Sequence, residues 1–142
     1  MADAKWLNKA VVWQRFARIP QALTDAVSEQ LGKEVSEMVD AMKRAAPVSD
    51  ELESHPGQFR DSIHAYSNPD RPMSYRIIAD AKDDKGNFIG PHIEFGHKKR
   101  GGKGHVPAKP SFFPTYRARI KASRRRLSAA ARKAIKQFTV KG

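Results

Sequence analysis

Residues 21–46, QALTDAVSEQLGKEVSEMVDAMKRAA, carry the longest regular pattern in the chain. Leu23, Val27, Leu31, Val35, Met38 and Met42 recur at intervals of four, four, four, three and four, which lays one apolar stripe along one face of a helix. Ala22, Ala26 and Val39 widen the stripe. Asp25, Glu29, Glu34, Glu37 and Asp40 fall largely off it. Pro47 marks the stop, as expected of a residue that cannot continue a helix. Gly32 lies inside the pattern and costs about 1 kcal/mol relative to alanine.

Upstream, Trp6, Leu7, Val11, Val12, Trp13 and Phe16 have short amphipathic spacing, which predicts an N-terminal helical arm over 1–18. Pro20 is expected to separate this arm from the long helix, because proline disfavours α geometry in the residue before it.

Downstream, residues 48–59 read as a polar, acidic loop. Three strands are then expected, over 60–67, 74–81 and 88–95. Turns are expected at 68–72 and 83–87, and Gly90-Pro91 predicts a bulge or edge position in the third strand. Residues 97–110 are rich in glycine, lysine and arginine and nearly lack apolar side chains, which predicts a mobile basic loop. A basic helix over 115–138 follows, with Tyr116, Ile120, Leu127, Ala131, Ile135 and Phe138 as its apolar line and Ser123 in register. The expected fold is α+β, a single domain over 1–142. Two long amphipathic helices pack on a small, mainly antiparallel sheet of three to four strands, with an extra N-terminal helix.

Charge is unevenly placed. Net charge is +12, and no Asp or Glu follows Glu94, whereas 15 Lys and Arg do. That leaves 12 basic and 15 acidic residues in 1–94, a net of −3. Such asymmetry suits nucleic acid or a charge-complementary neighbour. A solvated basic helix with a flexible basic loop would carry the same pattern.

The chain has no cysteine, which excludes disulfides, thiolate metal sites and thiol nucleophiles. Residues 1–20 are charged throughout, so a secretory signal is not expected, and no run approaches the roughly 20 apolar residues of a membrane span. No phosphate-binding glycine loop or nucleophile elbow occurs. His92 and Glu94 would share a face of the third strand, with His97 nearby and His105 in the loop, so a histidine–carboxylate metal site of a nuclease is one reading. Histidines on a mobile loop do not preorganise a metal, and the expectation is a protein without catalysis or cofactor.

Four short motifs resemble a known family in order and spacing. They are the Ala-Pro step closing Met42–Pro47, the strand entry Gly57–Ile63, the Glu94-Phe95-Gly96 element within His92–Gly96, and the proline–aromatic segment Pro107–Pro114. Together they cover about 19–137 and are similar to the tail-completion or head–tail joining proteins of long-tailed, lambdoid-type bacteriophages, a minor tail component. The family usually has a short Thr-Gly connection after the Ala-Pro step; here 48–56 is longer and acidic.

The resemblance implies a structural virion protein of the neck or upper tail, assembled in the host cytoplasm. It implies a homomeric ring, six-fold, next to other neck and tail proteins and away from membranes. Glu94, Phe95, Gly96, Pro110, Phe112 and Pro114 are then structural motif residues, with Gly96 permitting a turn of positive φ and Phe112 and Phe113 anchoring the last helix. Lys98, Lys99, Arg100, Lys103 and Lys109 would contact a partner protein or DNA in the channel. The acidic 48–56 loop would meet a neighbour's basic surface. A sequence-nonspecific nucleic-acid-binding protein is the alternative.

Overall fold

A computed structural model describes residues 9–48, 56–71, 73–99 and 101–140. Its first element, α1, is one helix from Lys9 to Ala45. The expected break at Pro20 does not occur, for Pro20 lies inside the helix. Proline disfavours α geometry before it but does not forbid it, and adding turns to a formed helix costs far less than nucleating one. The Thr24 hydroxyl donates to the Pro20 carbonyl oxygen at 2.7 Å. Residues 9–18 of the expected arm are thus part of α1, while 1–8 lie outside the described residues.

A one-turn helix, α2 (Gln58–Asp61), precedes strand β1 (Ile63–Ser67). β1 pairs antiparallel with β2 (Tyr75–Ala79), with Ile63 opposite Ala79 and Ala65 opposite Ile77. The first two expected strands therefore form, shorter at their outer ends. The turn at 83–87 also forms. Asp83 accepts the N–H groups of Lys85 and Asn87 on one carboxylate oxygen, each at 2.9 Å.

The third expected strand does not form. Residues Gly90–Phe95 are a short helix, α3. Pro91 has no N–H for a sheet ladder but fits the first turn of a helix, where that donor would go unused. Ile89 and Ile93, four apart, enter the core while Phe95 is left outside, whereas a strand's two-residue period would put all three on one face. The segment read as a loop also has order: β3 (His97–Lys98) and β4 (His105–Val106) form a small antiparallel hairpin. Lys99 N–H donates to the Gly104 carbonyl at 3.0 Å, and the glycines between take positive φ. Glycine specifies a tight turn here as much as it loosens the chain. Among the described residues the sheet is thus two separate two-stranded hairpins and not one of three or four strands.

The last helix, α4, spans Phe112–Val140, longer than expected at both ends. It runs antiparallel to α1, since Glu37 meets Arg119 and Glu34 meets Arg126. Toward its far end Ala134 is buried and Ile135 exposed, the reverse of the expected line. Steps of four advance about 40° round a helix of 3.6 residues per turn, so the line 127, 131, 135 drifts off the contact face.

The core sits where the C-terminal half of α1 meets α2, the first hairpin and α3. Met38, Met42, Phe59, Ile63, Ala81, Ile89 and Ile93 form it, with Ile77 and Phe112 packed against it. Gly32 lies far from any close approach: a Cβ built there meets nothing within 4 Å. Gly32→Ala is therefore expected to stabilise the protein by about 0.5–1 kcal/mol, seen as a rise in melting temperature. An unchanged or lower value would mean that the glycine has a packing role.

Candidate interaction surface

α3 and the start of α4 are joined through Glu94. Its side chain is 5% exposed. One carboxylate oxygen accepts the N–H groups of Ser111 at 2.8 Å and Phe112 at 3.1 Å, and the other accepts Phe113 N–H at 3.0 Å. These belong to the donors that a helix leaves unsatisfied at its N-terminus, where its dipole also favours an anion. Pro114 follows in the same turn and has no N–H to satisfy. Lys109 N–H donates to the Ile93 carbonyl at 2.8 Å and holds the approach to α4, through Pro110, against α3.

Gly96 ends α3 with φ 77 and ψ 168, a conformation essentially confined to glycine. The positive φ expected of it is present. Phe112 packs on the core, whereas Phe113 is exposed, so of the two expected anchors only Phe112 serves as one. Phe95 and Phe113 lie side by side with ring centroids 6.1 Å apart. The motif residues Glu94, Phe95, Gly96, Pro110, Phe112 and Pro114, distant in sequence, thus assemble into one joint.

The joint borders an apolar surface. A cleft of about 310 Å³ lies between β2 and α3, lined by Phe59, Ile77, Ala79, Phe95 and Phe113 among others. A second, of about 480 Å³, lies between α1, β2 and α4 and is lined by Leu31, Met38, Met73, Tyr75, Tyr116 and Leu127 among others. Both share Ile77, Phe112 and Phe113. Phe95 is 68% exposed, and Met73, Tyr75, Phe113 and Tyr116 are exposed as well. Among the described residues, β2 has β1 as its only ladder partner, so its other edge carries no sheet hydrogen bonds.

The histidine–carboxylate reading rested on a strand that is absent. His92 and His97 do come together, ring edge to ring face, with centroids 5.4 Å apart. Glu94 instead spends its oxygens on α4. No three His, Asp or Glu side chains among the described residues are grouped to hold a metal ion. Lys98, Lys99, Lys103 and Lys109 are exposed on or beside the second hairpin. Arg100 and residues 49–55, most of the acidic loop, lie outside the described residues.

One residue departs from the expected pattern. Glu34, placed off the stripe, is 5% exposed, and Arg126 reaches across from α4 to grip it with bonds of 2.5 and 2.7 Å. The signal existed: Glu34 stands three residues after Leu31 and four before Met38, on the flank of the stripe. The Arg126 guanidinium holds the Glu34 carboxyl down at about 2 against the opposing effect of burial, with Ser123 and Gln30 adding hydrogen bonds. Stability from this lowered carboxyl is complete above its ordinary value of 4.5 and is lost as pH falls toward about 2. Arg126 is 46% exposed, so solvent screening leaves roughly 1–2 kcal/mol lost across that window. A pH series of urea melts should show the loss, and Glu34→Leu should remove that part of it.

The two partners are unequal. Arg126→Ala strands a buried carboxylate and is expected to cost about 2–3 kcal/mol. Glu34→Leu frees a guanidinium that already reaches water and should stay within about 1 kcal/mol of the parent. Equal losses in the two variants would contradict this account.

No described helix is long and apolar enough to cross a membrane. In comparisons with family models, curated proteins and solved structures, none matches this chain.

Proposed function

We propose that the protein is a structural subunit of a long-tailed phage neck or upper tail, which completes the tail or joins it to the head as part of a ring of identical copies. Its role is assembly, with no chemical turnover. The observation that carries this reading is the contiguous apolar surface around Phe95, Phe113, Tyr116 and Tyr75 beside the open edge of β2. Exposed apolar patches of this kind mark protein contacts, and an open strand edge offers backbone hydrogen bonds to a neighbour. The resemblance supplies the setting, the six-fold order and the neighbouring neck and tail proteins. The α+β frame and the Glu94 joint are compatible with it.

A map of the assembled virion tests the reading. It should place a ring of this chain at the head–tail junction or upper tail, with Phe95 and Phe113 covered. A lone copy, or a ring with that surface facing solvent, would overturn it. In parallel, Phe95→Ser should leave the fold intact, since the ring is mostly exposed, yet leave heads and tails unjoined. Particles of normal number and infectivity from that variant would count against the proposal.

A further inference from the structure

We infer that the outward face of α4 binds the phosphate backbone of double-stranded DNA. α4 turns Arg119 and Arg126 toward α1, where Glu37 and Glu34 meet them. Of the other cations of α4, five, Arg117, Lys121, Arg124, Arg125 and Arg132, are all exposed and lie together. At 100° per residue they fall within an arc of about 100°, on the side of the helix away from buried Ser123 and Ala134. Among the described residues none of the five meets a carboxylate.

Charge pattern argues against a merely solvated face. A surface that only keeps a protein soluble mixes both signs. This stripe has no acid, and no Asp or Glu follows Glu94 anywhere in the chain. Arg117 and Lys121, and Lys121 and Arg125, are like-charged neighbours four residues apart, which weakens the helix unless an anion neutralises them. Four of the five are arginines, whose planar fork suits phosphate oxygens.

Spacing suits a duplex. From 117 to 132 the helix rises about 22 Å. One DNA strand presents a phosphate about every 3.4 Å of axis, so about six phosphates lie along that length. Five cations can contact them without reading bases. The face holds no aromatic side chain on which an unpaired base could stack, so duplex is favoured over single strands. The hairpin lysines Lys98, Lys99 and Lys103 sit on a separate element and are secondary.

The inference goes beyond the neck reading and is tested on the isolated chain, so its failure and that of the ring are separable. Binding of a fluorescent 30-base-pair duplex of mixed sequence would be followed by anisotropy from low to high salt. The parent should bind with an affinity that falls steeply with salt, and a second duplex of different sequence should bind equally. The variant R117Q/K121Q/R124Q/R125Q/R132Q should lose at least about 100-fold in affinity near 0.1 M salt, and its salt slope should flatten by about four. K98S/K99S/K103S should stay within about 5-fold of the parent. Glutamine is a good helix former, so circular dichroism should show an unchanged helix. Should the five-fold variant misfold, R124Q/R125Q carries the test, with a slope change near two. The inference is overturned if the stripe variants bind duplex as the parent does, or if the hairpin variant suffers the larger loss. It is also overturned if the stripe variants lose polyglutamate binding while duplex binding persists, which would make the partner an acidic protein.

Discussion

Gly96→Ala is expected to destabilise the protein by about 4 kcal/mol, the largest effect of any single substitution considered. Two costs add. The backbone holds φ 77 and ψ 168, which an L side chain resists, and relaxing it would swing the hairpin away from α3. The new Cβ would also lie 2.7 Å from the Val106 carbonyl oxygen and 2.9 Å from the Ala108 nitrogen. Both are backbone atoms, so no rotamer change relieves the contact. The path from α3 into the hairpin and back to α4 passes through this point. Urea melts should show a much lower midpoint, and a loss under about 1 kcal/mol would mean that the close approach yields easily.

Glu94→Gln should cost about 3 kcal/mol, although it changes one atom and keeps the shape. The carboxylate accepts three backbone N–H groups through two oxygens. Glutamine offers one carbonyl oxygen, and its NH₂ would face a backbone donor. The negative charge at the N-terminus of α4 is lost too. Glu94→Ala should cost about as much, because all three donors are then left without a partner and two of them are at least partly shielded from water. Hydrogen exchange gives the specific readout. The amides of Ser111, Phe112 and Phe113 should be protected in the parent and exchange faster in both variants, while the β1–β2 amides change only with global stability. If Glu94→Gln matched the parent in both stability and exchange, the carboxylate would be a bystander to α4.

Much of the helical architecture was legible in the sequence. The stripe from Leu23 to Met42 is a one-dimensional signal, because each turn repeats the demand of the face it packs on. The β1–β2 hairpin was legible for a similar reason, since its β-branched and aromatic residues stand either side of a polar turn. The Glu94-Phe95-Gly96 and proline–aromatic segments could be singled out, although their meaning was open. What they do is visible only in three dimensions, where a side chain from α3 satisfies amides 17 to 19 residues further on.

Length and context account for the rest. Residues 88–95 offered Ile93 and Phe95 two apart and Ile89 and Ile93 four apart, and so short a run satisfies both periods. The core chose between them by taking Ile89 and Ile93 and leaving Phe95 outside. Pro20 shows the converse, a strong local signal overridden because the helix on its C-terminal side is held by tertiary contacts. The sequence by itself determined the helical stripes, the first hairpin, the asymmetry of charge and the glycine turn at Gly96, each a local or additive property. Only the tertiary structure decided that Glu34 is buried, that Arg119 and Arg126 are spent on α1, and that Arg117, Lys121, Arg124, Arg125 and Arg132 share the outward face of α4. Pairing across 92 residues depends on where two helices meet, and no local pattern encodes that distance.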